Sequence, residues 1–254
     1  MPAAKEVAIV VGATGAMGQV IAQRLTQSGL QVLAVARSAQ ALDALAQQVP
    51  GLRSCVADVG DDSALDAISA PLKSLDAPVR MLVQGAGVAT AGGVLDAPTS
   101  AVVDAVNIKV GGMLRLVRAA DAHLAHGSRL VAIGGHYGFE PTAYAATAGV
   151  ANAALANLVR QLSWAYGPRG VTAHLLAPGP ADTERLRRVA TARGARDGLD
   201  TEAVLEQMRA ESAIGAFTTV EQIAWAISTL LAPEADALAG STLFMDAGRR
   251  KGLP

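Results

Sequence analysis

The stretch that decides the fold is Val7-Ala-Ile-Val-Val-Gly12-Ala-Thr-Gly15-Ala-Met-Gly18, near the start of the chain. Its five apolar residues predict a buried strand, and its three glycines, spaced at intervals of three, predict a tight turn into a helix. The helix is indicated by apolar residues at spacings of three and four, which are Met17, Val20, Ile21 and Leu25. Backbone N–H groups of such a turn can approach a pyrophosphate, whose charge the helix N-terminus stabilises. The stretch therefore favours dinucleotide binding, although any tight strand-to-helix turn needs glycines for steric reasons.

Five more apolar runs alternate with longer helical patterns along the rest of the chain. These runs are 32–35, 79–83, 130–133, 171–176 and 242–245. Strands and helices that alternate at this spacing predict an α/β fold with one doubly wound parallel sheet. Because no linker, repeat or low-complexity tract interrupts the pattern, we expect residues 1–254 to form a single domain.

The charge balance and the hydrophobicity limit the classes of partner. The chain has 21 basic and 22 acidic side chains and a net charge of −1, so no bulk field attracts nucleic acid or an anionic membrane. Hydrophobic residues make up 51% of the chain and charged residues 17%, against roughly 25% charged in average soluble domains. This composition suits fully buried strands and a buried subunit interface.

The single cysteine, Cys55, cannot form an internal disulfide, so a reducing cytoplasm is the default location. The beginning of the chain lacks the pattern of a secretory signal. No apolar run reaches the length of about 18 residues that a membrane span needs. No Cys, His and carboxylate cluster has the spacing of metal ligands. We therefore expect a cytoplasmic protein with neither a membrane partner nor a bound metal.

One segment, residues 180–218, differs from the rest because it is strongly charged. It contains Glu184, Arg185, Arg187 and Arg188, and its two short helical patterns come directly after a strand. Ligands of open α/β sheets lie beyond the carboxyl ends of the strands, so this segment can be a mobile cover over a site. Its composition fits a solvated surface excursion equally well.

The end of the second strand bears on the choice between two dinucleotides. Sites that select NAD carry Asp or Glu about 20 residues past the glycines, where it binds a ribose hydroxyl. Here Arg37 lies 19 residues after Gly18, and no carboxylate occurs until Asp43. An arginine pairs with a 2′-phosphate, which favours NADP(H) over NAD(H). The alternative is a solvated arginine at a strand end.

Six further motifs follow the glycine turn. They are Ala57-Asp58-Val59, Val83-Gln84-Gly85-Ala86-Gly87, Asn107, Tyr144, Pro178-Gly179 with Thr183, and Gly240-Ser-Thr-Leu-Phe-Met-Asp246-Ala-Gly248. In this order they resemble the motifs of the short-chain dehydrogenase/reductase family over nearly the whole chain. The resemblance implies a Rossmann-like domain that usually assembles as a homotetramer or homodimer. It predicts the fold and the cofactor better than it predicts the reaction.

The same resemblance assigns residues to the cofactor. Asp58 corresponds to an acidic contact with the adenine, and the loop from Pro178 to Thr183 resembles the one that encloses the nicotinamide. The implied set is Gly12, Thr14, Gly15, Met17, Gly18, Arg37, Asp58, Val59, Gly85, Ala86, Gly87, Pro178, Gly179 and Thr183.

The catalytic half departs from the family pattern at two of four positions. Members use tyrosine as acid and base, serine to bind the substrate oxygen, asparagine to hold a relay water, and lysine four residues after the tyrosine. Aligned on Tyr144, the lysine position is Ala148, and the serine position is Gly135. Without a cation nearby, tyrosine has a pKa of about 10 and only about one molecule in a thousand is ionised at pH 7. We therefore expect the family's reaction to be strongly slowed in this chain. If a reaction takes place, we expect reduction of a carbonyl rather than oxidation of an alcohol.

Three residues are candidates for the remaining chemistry, and each has a structural alternative. Tyr144 could be the acid, and the alternative is a tyrosine that only packs on its helix. Asn107 could hold the relay water, and the alternative is that it stabilises a helix bend by bonding the backbone. His136 follows the vacant serine position, and its reference pKa of about 6.5 suits an acid at neutral pH; the alternative is a half-exposed loop histidine. Tyr137, beside it, could donate a hydrogen bond to the substrate.

Three functions are compatible with these residues. The first is an NADP(H)-dependent carbonyl reductase with a rearranged site and a small-molecule substrate. The second is a catalytically silent cofactor-binding homologue, acting as a sensor or as an inert subunit. The third is a lyase, cyclase or isomerase on the same scaffold. The retained glycines at 12, 15 and 18 favour a bound nucleotide.

Overall fold

The computed structural model describes residues 6–88 and 92–252, which form one parallel sheet covered by helices on both faces. The strands are β1 (Val7–Val11), β2 (Gln31–Ala36), β3 (Arg53–Val56), β4 (Val79–Gln84), β5 (Leu124–Ile133), β6 (Thr172–Pro178) and β7 (Thr242–Met245). Their order in the sheet is β3-β2-β1-β4-β5-β6-β7, and every pair is parallel. The α/β class and the doubly wound sheet predicted from the sequence are confirmed.

The helices alternate with the strands. They are α1 (Ala16–Gln27), α2 (Ala39–Gln48), α3 (Ala64–Leu75), α4 (Thr99–Val106), α5 (Gly112–Ala120), α6 (Ala146–Tyr166), α7 (Glu184–Asp197), α8 (Thr201–Ala210) and α9 (Val220–Thr229). Helix α1 follows the glycine turn as predicted, and Gly29, with φ +90°, comes just after its C-terminal end. Within the described residues, no helix combines the length and apolar character needed to cross a bilayer.

Strand β1 belongs to two cores because successive side chains point to opposite faces of a sheet. Val7, Ile9 and Val11 pack into the core that also contains buried residues of α3, α5 and α6. Ala8 and Val10 pack into the core on the other face, with buried residues of α1 and α9. All five residues of β1 are buried, which is the pattern of a central strand in a parallel sheet.

Two features of the sheet differ from the sequence prediction. Strand β3 is not among the predicted runs, because it is an edge strand and Cys55 is its one buried residue. Strand β5 begins at Leu124, six residues earlier than predicted. Gly127, with φ +86°, and a register irregularity against β4 interrupt the apolar pattern there.

The charged segment folds into two helices, as its patterns predict. Helices α7 and α8 pack on each other through a small core of their own, formed by Leu186, Ala190, Val204, Leu205 and Met208. The two ends of the segment are joined by a bridge between Ala181 and Thr218. The Asp182 N–H donates to the Thr218 carbonyl at 3.0 Å, and the Thr218 N–H donates to the Pro180 carbonyl at 3.2 Å.

The buried guanidinium of Arg129, on β5, ties the sheet to the segment after α9. It is 1% exposed and donates to the carbonyls of Leu230 (2.7 Å) and Ala232 (3.0 Å) and to Thr172 Oγ1 (2.8 Å). It also pairs with Asp236, and that contact lowers the pKa of the Asp236 carboxyl. Four partners therefore depend on one side chain.

We expect Arg129→Met to lower the free energy of unfolding by about 3 kcal/mol, because it leaves buried acceptors without a donor. Urea unfolding monitored by circular dichroism measures this change. Arg118→Met, at an exposed position on α5, is the control and should stay within about 0.5 kcal/mol of the wild type. Equal stability of the two variants would contradict the role given to Arg129.

Candidate nucleotide and active site

A cavity of about 500 Å³ lies at the carboxyl ends of β1, β2 and β4. Most of the residues assigned to the cofactor line it. They are Gly12, Thr14, Gly15, Met17, Gly18, Arg37, Asp58, Val59, Gly85, Ala86, Gly87 and Thr183. Pro178 and Gly179 are not part of this lining, because they lie at the end of β6, further along the sheet. The volume is in the usual range for small-molecule sites, and a strand-order reversal beside β1 is where open sheets bind ligands.

The glycines allow the turn to close against the neighbouring strand. Gly12 has φ +75°, and a Cβ there would lie 2.8 Å from the Gly85 carbonyl oxygen. A Cβ on Gly18 would lie 2.1 Å from the Gly12 carbonyl oxygen. Helix α1 then begins after Gly15 with no side-chain cap, so its first N–H groups face the cavity without a side-chain acceptor. This arrangement fits a phosphate group.

Positive side chains line the cavity from two directions. Arg37 is exposed at the end of β2, while Arg185 and Arg188 come from the first turns of α7. The Asp58 carboxylate accepts a hydrogen bond from the Gly60 N–H at 2.9 Å. The sequence shows the arginines of α7 as part of the charged segment, but it does not predict that they line the cavity. Their place in the lining is compatible with the predicted cover.

The carboxamide of Asn107 is used inside the protein. Its Nδ2 donates to the Gly60 carbonyl at 2.7 Å, and its Oδ1 accepts from Arg115 at 2.9 Å. Asn107 begins a π-helical turn, Asn107–Gly111, between α4 and α5. The carboxamide therefore joins the turn after β3 to Arg115 of α5, and both the helix-bend and the relay interpretations of Asn107 stay predictions.

Lys109 is a buried ammonium that sequence reasoning passed over. It is 7% exposed, and its Nζ donates to the carbonyl of Ile133, the last residue of β5, at 2.6 Å. Burial, with Arg185 nearby, lowers the pKa of Lys109 to about 8. Lys109 lies in the π-helical turn Asn107–Gly111, which the apolar pattern of the sequence does not predict.

His136 is buried rather than half exposed. It is 5% exposed, and burial, with a smaller contribution from Arg249, lowers the pKa of the imidazole to about 4. The nearby Pro178 carbonyl has a smaller effect in the opposite direction and raises this pKa. The expectation that its pKa suits an acid at neutral pH is therefore wrong, because the imidazole is neutral there.

Tyr137 and Tyr144 share a hydrogen bond between their hydroxyls at 3.1 Å. Burial and the Tyr144 hydroxyl raise the pKa of Tyr137 to about 12. Tyr144 is 47% exposed and lies before the first residue of α6. The two phenols therefore form a hydrogen-bonded pair, and neither is part of the cavity lining.

The residue of α6 that faces Gly135 is Asn152. A Cβ on Gly135 would lie 2.9 Å from Asn152 Nδ2. Ala148 lies one helical turn earlier and brings no polar group. The absence of a catalytic serine at Gly135 and of a lysine at Ala148 stays a prediction, as does the role of Tyr144 as acid.

Comparisons with known proteins agree with the fold. A family model described as "Enoyl-(Acyl carrier protein) reductase" matches residues 12–250. The short-chain reductase protein NovJ of Streptomyces niveus is 28% identical, covering 96% of this chain and 94% of its own length. The 3-oxoacyl-[acyl-carrier-protein] reductase MabA of Mycobacterium avium is 27% identical, with 96% and 89% covered. A blue fluorescent protein from a metagenomic library, solved with NADPH, is 26% identical with a TM-score of 0.83, and 97% and 98% are covered.

The buried histidines predict a loss of stability in mild acid. His136, and His174 on β6, both have a pKa of about 4 because of burial, whereas an unfolded histidine has about 6.5. As the pH falls, the histidines of the unfolded chain therefore take up protons before those of the folded chain. Their contribution to the free energy of unfolding is fully present above pH 6.5 and is lost as the pH drops towards 4. Each histidine contributes roughly 3 kcal/mol to this loss.

We expect His136→Gln to reduce the fall in unfolding free energy between pH 7 and pH 5. Urea unfolding at several pH values measures the slope. His126→Gln, at an exposed position, is the control and should keep the slope of the wild type. An unchanged slope in His136→Gln would mean that the imidazole is more accessible than the structure shows.

Proposed function

The chain belongs to the short-chain dehydrogenase/reductase family, and we propose that within it the protein is an NADP(H)-dependent carbonyl reductase with a rearranged catalytic site. The observation that carries the proposal is the cavity at the glycine turn, which three arginines line. The similarity of the protein to reductases along almost the whole chain supports the reaction class.

The residues of the cavity fit a dinucleotide. Gly12, Gly15 and Gly18 keep its wall free of side chains, and the start of α1 offers N–H groups to the pyrophosphate. Arg37 holds the ribose phosphate, and Arg185 and Arg188 add positive charge from α7. When bound, the nicotinamide supplies a hydride to the carbonyl carbon of the substrate, so the protein has to orient the two and provide a proton.

The choice of NADP(H) over NAD(H) depends on Arg37. The cavity wall at the end of β2 offers this guanidinium and no carboxylate. A planar guanidinium forms paired hydrogen bonds with a phosphate, whereas NAD selection uses a carboxylate for the ribose hydroxyl. The NADPH complex of a 26% identical protein supports the same choice.

The paired phenols favour reduction. The Tyr137 hydroxyl, whose raised pKa keeps it protonated, is hydrogen-bonded to the half-exposed hydroxyl of Tyr144. In the proposed reduction Tyr144 would donate its proton to the carbonyl oxygen of the substrate and would regain one from solvent. Tyr137, which stays protonated, is a poor base for alcohol oxidation. His136, neutral and buried, acts as a positioning residue.

A silent cofactor-binding protein is the second candidate. It is favoured by Gly135 and Ala148, which bring neither a hydroxyl nor an ammonium to the substrate side. Asn107, committed to Gly60 and Arg115, also leaves the relay without its asparagine. Binding of NADPH without any turnover would support this candidate over the first.

We expect Arg37→Ala to weaken NADPH binding roughly 10- to 100-fold, because a charge-assisted contact contributes about 1.5 to 3 kcal/mol. The affinity for NADH should change little. Fluorescence titration with both nucleotides measures the effect, and Arg53→Ala, exposed on β3, is the control. Equal losses for NADPH and NADH would contradict phosphate recognition by Arg37.

We expect Tyr144→Phe to slow NADPH oxidation with a panel of ketones about 10²-fold, since it removes the proposed proton donor. Tyr137→Phe should slow it less, because water can return the proton to Tyr144. Tyr166→Phe is the matched control, as its hydroxyl donates to Asp121 away from the cavity. A Tyr144→Phe enzyme with the rate of the wild type would overturn this assignment.

A further inference from the structure

The segment after β7, residues 246–252, is hydrogen-bonded to two parts of the molecule that are far apart in the sequence. We call this segment the clasp. The Ala247 carbonyl of the clasp accepts a hydrogen bond from the Ala213 N–H, just past α8, at 3.1 Å. Two backbone N–H groups at the other end of the clasp both donate to Glu140 Oε1 at 2.7 Å. The clasp therefore contacts the segment of α7 and α8 on one side and the turn after β5 on the other.

The backbone of the clasp adopts an unusual conformation. Ala247, with φ +56°, lies in the left-handed region that residues with a side chain rarely adopt, and Gly248, with φ +75°, follows it. A Cβ on Gly248 would lie 2.7 Å from the Ala213 Cβ. Asp246 stabilises this turn, since its carboxylate accepts a hydrogen bond from the Gly248 N–H at 3.1 Å. Strained backbone of this kind clusters at functional positions, and here it directly precedes Arg249.

Arg249 is a buried guanidinium that contacts the end of α8. The residue is 8% exposed. It donates to the carbonyl of Met208, in the last turn of α8, at 2.9 Å, and it pairs with the carboxylate of Glu211, just past that helix. Breaking a buried ion pair destabilises a protein far more than breaking an exposed one. The Arg249 side chain therefore fixes the end of α8 to the clasp.

The same guanidinium lies near the turn that follows β5. Burial is the main cause that lowers the pKa of His136, and the charge of Arg249 is the next. Burial and the Tyr144 hydroxyl raise the pKa of Tyr137, and Arg249 acts in the opposite direction. Both effects agree with the hydrogen bonds that attach the clasp to Glu140. Arg249 therefore lies between α8 and the paired phenols.

Helix α8 transmits this contact to the cavity. Met208 accepts from Arg249 through its carbonyl, while its side chain belongs to the small core that joins α8 to α7. The first turns of α7 bear Arg185 and Arg188, which line the cavity. The position of this side of the cavity therefore depends on how α8 is held.

We propose that the clasp holds α7 and α8 against the cavity through Arg249, which makes Arg249 a positioning residue for the proposed reaction. The consequence for the reaction rate rests on the proposed function, because it needs turnover of a ketone. The consequence for the two helices does not, since Arg249 contacts α8 whether or not a ligand is bound.

Amide hydrogen exchange measured by mass spectrometry tests the contact, because it reports local opening helix by helix. We expect Arg249→Met to speed exchange in α7 and α8 about tenfold and to leave the strands unchanged, since a buried charge-assisted contact is lost. Arg249→Lys, which keeps the charge without the planar fork, should restore part of the protection.

Arg187→Met is the matched control for the exchange experiment. Arg187 also joins α7 to α8, by an ion pair with Glu202 at 3.2 Å, but both side chains are exposed. Loss of an exposed pair should change the exchange rates less than about twofold. If Arg249→Met fails to fold, Glu211→Gln removes the ion pair from the side of α8 and should give the same pattern with a smaller increase.

Initial rates with ketones at saturating NADPH test the positioning role. We expect Arg249→Met to raise KM for the ketone about tenfold and to change kcat less, because the helices beside the cavity are no longer held in place. A residue that only stabilises the fold would instead lower the amount of active enzyme, and with it the apparent kcat, without moving KM.

Exchange in α7 and α8 at the wild-type rate in both Arg249→Met and Glu211→Gln would overturn the proposal. Faster exchange spread evenly over the strands would also overturn it, and an unchanged KM would refute the positioning role. If the wild type turns over no ketone, the proposed function itself fails, and the exchange experiment still decides whether the clasp holds the helices.

Discussion

The close approach of two backbones, Gly12 on the first turn and Gly85 at the end of β4, is the constraint on which the rest depends. A Cβ on Gly12 would meet the Gly85 carbonyl oxygen at 2.8 Å. Because this contact is kept, α1 can begin directly over the strand ends and the cavity forms between β1, β2 and β4. Fold and ligand site are therefore consequences of the same packing, and neither could change without the other.

The fold and the cavity wall could be predicted because they rest on local patterns. Apolar runs indicate buried strands, and a glycine turn between a strand and a helix has few structural meanings. Strand β3 was not predicted, because an edge strand with one buried residue has no apolar run in its sequence. Pro178 and Gly179 were grouped with the cavity by resemblance, although they lie at the end of β6 and outside the lining.

The chemistry could be predicted less well because it depends on burial and direction. Nothing in the sequence around His136 shows that the imidazole is covered, and burial is what moves its pKa. Lys109 lies in a π-helical turn and donates to the carbonyl at the end of β5, and no residue pattern predicts that turn or that contact.

The bridge between Ala181 and Thr218 joins the two ends of the segment that carries α7 and α8. Because both ends leave the sheet at one point and the helices have their own core, the segment contributes little to the packing of the strands. Its length and composition could therefore change at little risk to the folding of the sheet. Because Thr183, Arg185 and Arg188 also line the cavity, such a change would reshape one side of that cavity and leave the glycine turn on the other side as it is.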